Sequence, residues 1–139
     1  MGAHCLRLER RRCGPFDIGE AITLEDFEAA LAKGTHGRLI YDLEVVLGHL
    51  PGLVIRRERA EKACRGVPVR YQDIERPLAD FKKGDQFRVL TPEMGLVALA
   101  KALVGLADLP LKGAKDPLFK IEKVLVEEQK VKSYNYSIM

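Results

Sequence analysis

Pro92-Glu93-Met94-Gly95 constrains the fold of this chain more than any other stretch. Proline fixes φ at the first central position of a turn and glycine closes it, so the backbone must reverse there. The flanking segments Gln86-Phe87-Arg88-Val89-Leu90 and Leu96-Val97-Ala98-Leu99-Ala100 are short and mostly apolar, and with that turn they predict an antiparallel hairpin. Lys83-Gly84-Asp85 is the turn that leads into it. Phe119-Lys120-Ile121-Glu122-Lys123-Val124 alternates apolar with charged residues, the period-2 signature of a half-buried strand. Leu53-Val54-Ile55 predicts a further strand and Val67-Pro68-Val69 a short extended piece. Residues 102–116 are ambiguous between strand extension and loop.

Helical signals come earlier in the chain. Thr23 is a good N-cap with Asp26 at N3, and Leu24, Phe27, Ala30 and Leu31 follow at helical spacing up to Gly34, a natural C′ residue. A second short helix is predicted from about Asp42 to Leu50, and a third from Glu58 to Arg65, closed by Gly66. Residues 4–13 are compatible with a strand ended by Gly14-Pro15. Pro51-Gly52 is the best domain boundary. The expected fold class is therefore α+β, a few short helices followed by a small β-barrel-like module.

No apolar run approaches the roughly 18 residues needed to span a bilayer, and no secretory signal precedes the fold, so a cytoplasmic location is expected. Cys5, Cys13 and Cys64 are odd in number and have no C-x₂-C pairing, which argues against a disulfide framework or a zinc site. No Walker motif, dinucleotide loop or Ser/His/Asp arrangement is present, and neither a cofactor nor a metal is expected. Charge is more informative. The net charge is only +3, but Arg7, Arg10, Arg11 and Arg12 form one basic island. Arg56, Arg57, Arg59, Lys62, Arg65 and Arg70 form another, and an acidic stretch separates the two. Clustered arginine suits phosphate, because guanidinium is always charged and bonds it bidentately. A solvated helix face with Glu58–Lys62 and Glu61–Arg65 pairs is the alternative.

The order Gly2-Ala3-His4-Cys5-Leu6-Arg7-Leu8-Glu9-Arg10-Arg11-Arg12-Cys13-Gly14-Pro15-Phe16, then Thr23-Leu24-Glu25-Asp26-Phe27, resembles the GAH…LRRT…GPF…TLEEL region of TruB-type tRNA pseudouridine synthases. These enzymes turn a uridine of the tRNA T-loop into pseudouridine. The unit Ala60-Glu61-Lys62-Ala63-Cys64-Arg65-Gly66-Val67-Pro68-Val69 and the segment Lys83-Gly84-Asp85…Val89…Gly95-Leu96-Val97-Ala98 resemble the PUA-type RNA-binding domain that follows the family's catalytic domain. The likeness covers most of residues 2–125. It implies that residues 1–50 are a C-terminal remnant of the catalytic domain, a strand plus two short helices. Residues 51–130 would be a PUA-like RNA-binding domain, and 131–139 a flexible tail.

The resemblance also implies that the family's nucleophilic aspartate, in a GTLDPLATG-like motif, and the arginine of its YIR segment lie upstream of Met1. No catalytic residue is then expected here, and the chain alone is expected to be inactive. Gly113-Ala114-Lys115-Asp116-Pro117-Leu118 has a superficial likeness to that motif. It lies on the wrong side of the GAH region and continues with Phe119-Lys120-Ile121, so an Asp-Pro turn entering a strand accounts for it. The role implied for this chain is to grip the T-arm and acceptor region of tRNA by shape and phosphate contacts. Arg10 and Arg12 match arginines of the family's LRRTR stretch, while Glu9 and Arg11 replace its first arginine and its threonine. Glu9 is expected to pair with a neighbouring arginine. Arg56, Arg57, Arg65 and Gly66 complete the expected RNA-binding set. Gly66 either lets the backbone approach a phosphate or is a plain left-handed helix stop. His4 matches the GAH histidine and is expected to hydrogen-bond locally. The alternatives are a stand-alone PUA-like RNA-binding or assembly module with no enzymatic half, and a non-functional gene fragment.

Overall fold

The computed structural model describes residues 1–128 and 130–132. The chain divides into two compact units between His49 and Leu50.

In the N-terminal unit, β1 (Arg12–Cys13) pairs antiparallel with β2 (Phe16–Asp17), placing Arg12 opposite Asp17. Gly14, at φ +56°, makes the reversal between them. The expected strand over residues 4–13 is thus confined to its last two residues. A strand needs a neighbour to take up its N–H and C=O groups; Arg11 O accepts from Ile18 N at 2.9 Å, and residues 4–10 pair with no strand among the described residues. Helix α1 (Leu24–Lys33) forms where its caps predict: Thr23 Oγ1 accepts from Asp26 N at 3.1 Å, and Gly34 closes it at φ +70°. The second helix, α2, is a single turn (Leu43–Val46) rather than a run to Leu50. Asp42 makes no side-chain cap, Val45 and Val46 are β-branched, and Gly48 follows, so little favours extension. Phe16 and Tyr41 stack at 5.3 Å, yet none of the described residues of this unit is buried.

The C-terminal unit contains the core. Its strands are β3 (Gly52–Ile55), β4 (Val69–Arg70), β5 (Ile74–Pro77), β6 (Gln86–Leu90), β7 (Leu96–Ala102) and β8 (Pro117–Val124), with α3 (Ala60–Cys64) after β3. They form a six-stranded sheet in the order β4-β8-β7-β6-β3-β5, antiparallel except for the β3–β6 pair. A flat sheet of that order would hold its edges about 24 Å apart, at ~4.8 Å per strand. The edges β4 and β5 are joined only by the 3-10 turn Tyr71–Asp73, and the links from Arg70 to Ile74 reach at most about 14 Å. The sheet must therefore curl. Leu53, Ile55, Phe87, Val89, Leu118 and Phe119 fill its interior, and Ala60 and Ala63 seat α3 against it.

Gly52 opens β3 rather than forming a turn. A Cβ there would lie 2.7 Å from Leu78 Cδ1 and 2.8 Å from Leu90 Cδ1, so a side chain would have to push the ends of both leucines aside. Residues 102–116 resolve into the end of β7 and a 3-10 helix (Leu106–Leu111). Of the segment expected to be a tail, Val131 is fully buried, and 133–139 lie outside the described residues.

The β6–β7 turn forms as expected, and its left-handed residue is Met94, at φ +67°. A non-glycine residue there bears a steric cost between Cβ and the backbone. Met94 is about half exposed, so its side chain contributes little packing. Met94→Gly is expected to stabilise the unit by about 0.5–1 kcal/mol, read as a higher urea midpoint with unchanged slope. A lower midpoint refutes the strain.

Candidate nucleic-acid interface

The second basic island, apart from Arg70 on β4, falls on the segment that leaves β3, turns through a 3-10 helix (Arg57–Arg59) and continues as α3. The segment is held by one carboxylate. Asp73 is almost fully buried; its Oδ2 accepts from Arg70 N at 2.9 Å, and its Oδ1 lies 3.1 Å from Arg59 Nε. That Arg59 N–H is not aimed well enough to make a hydrogen bond, so the contact is an ion pair. The Asp73 carbonyl in turn accepts from Arg56 N at 2.8 Å. The result is a cleft of about 80 Å³ in which Arg59, Lys62 and Arg70 face a single carboxylate, beside Val67 and Gln72. Lys62 and Arg70 are exposed, and neither joins an ion pair among the described residues. The cleft is a cationic notch suited to an anionic chain.

The residues expected from the sequence distribute unequally around it. Arg56 is exposed and uses Nε to donate to Gln72 O at 3.0 Å. Arg57 is tied to Glu93 of the β6–β7 turn by an ion pair. Arg65 is not paired with Glu61: its Nη2 and Nε donate to Glu128 at 2.6 and 3.2 Å. Gly66 ends α3 at φ +77°, and a Cβ there would meet nothing within 4 Å. Conformation therefore demands glycine at this position, while the space outside it is open.

In the N-terminal unit Glu9 reaches Arg7 at 3.5 Å and Arg11 at 3.9 Å, as expected of a carboxylate among arginines. Arg10 and Arg12 are exposed and form no ion pair among the described residues. His4 is exposed too. Asp116 does what a turn residue does: its Oδ2 accepts from Gly113 N at 2.7 Å as the chain enters β8. The convergence of Arg59, Lys62 and Arg70 was not visible in the sequence, because Asp73 creates it through the fold.

Among the described residues three titrations are displaced. The bidentate bond from Arg65, reinforced by Lys132, holds the Glu128 carboxyl down at about 2, and the same carboxylate raises the Arg65 guanidinium. Burial, then the charges of Glu128 and Glu61, push the Cys64 thiol up, which keeps it an unreactive thiol at neutral pH. Because the folded Glu128 value lies below the ordinary 4.5, the link it makes is fully present above pH 4.5 and is lost as pH falls toward 2. A ¹³C carboxyl titration of Glu128 is expected to show a midpoint near 2. A midpoint at the ordinary value means the pair does not form. Among the described residues no cluster of metal-ligating side chains occurs, and no helix is long and apolar enough to cross a membrane.

No family model matches the chain. Among curated proteins it is 31% identical over 101 residues to the tRNA pseudouridine synthase B of Pelotomaculum thermopropionicum, covering 73% of this chain and 32% of that protein. It is 32% identical over 106 residues to that of Geobacter sulfurreducens, covering 76% and 34%. Among solved structures it resembles an archaeal box H/ACA sRNP Nop10-Cbf5 complex, with 26% identity and a TM-score of 0.67 over 87% of this chain and 41% of that one. A PUA domain protein from Thermoplasma acidophilum, 12% identical with a TM-score of 0.51, covers 65% of this chain and 61% of that one, and shares the fold alone. The curled sheet with its few helices is thus a PUA-like module. The chain spans about a third of the length of the curated relatives it matches. By its sequence relatives and its fold, the chain belongs to the tRNA pseudouridine synthase B family.

Proposed function

We propose that this chain is the tRNA-gripping C-terminal part of a TruB-type pseudouridine synthase. In this reading residues 1–50 are the end of the catalytic domain and 51–130 the RNA-binding module. The uridine-attacking aspartate is not among these residues, and the compartment is the cytoplasm. The observation that carries the proposal is the cationic cleft of Arg59, Lys62 and Arg70 on a PUA-like module. Phosphate contacts from Lys62, Arg70 and Arg56, with Arg10 and Arg12 from the other unit, hold the T-arm and acceptor region by backbone and shape. The open space at Gly66 lets a phosphate reach the main chain. Arg57, tied to Glu93, contributes mainly by orienting its segment.

The test is the salt dependence of tRNA binding by the full chain. Each phosphate contact adds about 0.7–0.9 to the negative slope of log K against log salt. Lys62→Gln with Arg70→Gln is expected to flatten that slope by about 1.4–1.8 and to weaken tRNA and an unrelated duplex RNA alike. Arg59 is left out because it is an internal partner of Asp73. A double variant that binds with the parent's slope removes the cleft from the interface.

A further inference from the structure

The Glu128 carboxylate lies where two cations converge. Arg65 Nη2 and Nε approach it at 2.6 and 3.2 Å, and Lys132 Nζ at 3.3 Å. A guanidinium presenting two parallel N–H groups to two oxygens is the geometry that also fits a phosphate. All three side chains are solvent-accessible, with relative exposures of 61% for Arg65, 31% for Glu128 and 49% for Lys132. Exposed ion pairs of this kind are exchanged readily, because water screens the attraction and two long side chains must be held still.

We infer that Arg65 and Lys132 form a phosphate seat for the RNA backbone, which the Glu128 carboxylate fills as an internal stand-in in the free chain. The inference rests on the RNA-binding reading above and deepens it. Arg65 ends α3 immediately before Gly66, whose outer side is open, so a strand lying along the cleft formed by Lys62 and Arg70 continues toward this seat. An incoming phosphate takes over the two guanidinium bonds and the lysine, and Glu128 moves into water. The exchange conserves the number of charge-assisted bonds on Arg65. The seat therefore binds more weakly than a vacant one, and it excludes ligands that present no tetrahedral or planar oxyanion. The strong downward displacement of the Glu128 titration accords with a carboxylate held by two cations.

The experiment measures tRNA affinity and its salt slope for the full chain and four variants. Glu128→Gln is expected to bind about threefold to tenfold more tightly at low salt, because the phosphate no longer has to displace a carboxylate, and to keep about the parent's slope, since both proteins make the contact when bound. Glu61→Gln makes the same change of charge on the neighbouring α3 without touching Arg65, and is expected to keep about the parent's affinity. Arg65→Gln in the Glu128→Gln background removes the gain and flattens the slope by about 0.7–0.9, whereas Arg65→Gln alone lowers the affinity less. Lys132→Gln in the Glu128→Gln background removes part of the gain. A parent that binds with a clear salt slope while Glu128→Gln adds nothing overturns the seat and leaves the RNA-binding reading intact. Equal gains from Glu128→Gln and Glu61→Gln overturn it as well, since net charge then suffices. If neither parent nor Glu128→Gln binds tRNA, both readings fall.

Discussion

Phe119→Ala is expected to remove about 3–5 kcal/mol from the stability of the C-terminal unit. The ring is fully buried on β8, between Val69 of β4 and Ala102 of β7, and thus belongs to both pairings of its strand. It meets Phe81 at 5.0 Å and Phe87 at 5.4 Å between centroids, while Phe81 and Phe87 meet at 5.7 Å edge to face. Each such pair adds about 0.5–1.5 kcal/mol beyond area burial, so alanine loses two ring contacts and opens a cavity. Domain stabilities are about 5–15 kcal/mol, so one truncation consumes a large share. Urea unfolding followed by circular dichroism is expected to show a much lower midpoint at nearly constant slope. A loss under about 1 kcal/mol would mean the three rings do not form one cluster. Phe119→Leu, which keeps most of the apolar volume, is expected to cost clearly less.

The physics that makes Phe119 decisive also separates what the sequence made legible from what it did not. Thr23, Asp26 and Gly34 specify α1 through bonds between residues at most five apart, and those bonds form. The β6–β7 hairpin is legible for the same reason, since proline, a closing glycine and two apolar runs act locally. Strand β5 is not. Its residues Ile74-Glu75-Arg76-Pro77 have no clean alternation and end in proline, and their partner β3 lies more than fifteen residues back. The strand expected over residues 4–13 forms only at Arg12–Cys13, because a local pattern does not by itself supply a pairing partner.

The site follows that division. Two basic islands can be counted in a sequence, but which arginines remain available depends on distant carboxylates. Glu61 stands four residues before Arg65, yet Arg65 bonds Glu128, 63 residues away. Glu93, in a turn 36 residues on, takes Arg57. Lys62 and Arg70, which no motif singles out, become the exposed cations of the cleft because Asp73 folds their segments together.

Asp73 therefore carries the second large effect. It ends the three-residue turn that joins the two edges of the curled sheet, so its bonds hold the closure itself. Truncation to alanine leaves Arg70 N–H without its acceptor and the Arg59 guanidinium, only about a third exposed, without its counter-charge. Removing one member of a buried pair costs about 3–5 kcal/mol, and water reaching Arg59 places the expected loss near 3 kcal/mol. Asp73→Asn keeps an oxygen for Arg70 N–H and is expected to cost about half as much, since only the charge is lost. Denaturant melts of the three proteins test this order, and equal melts for Asp73→Ala and the parent overturn it. RNA binding separates structure from recognition. A carboxylate in the cleft opposes phosphate, so Asp73→Ala, measured at a temperature where it remains folded, is expected to bind tRNA at least as tightly as the parent and with no smaller a salt slope. A weaker, flatter response would show that Asp73 holds Lys62 and Arg70 in the positions RNA requires, so that the closure of the sheet and the grip on phosphate depend on the same carboxylate.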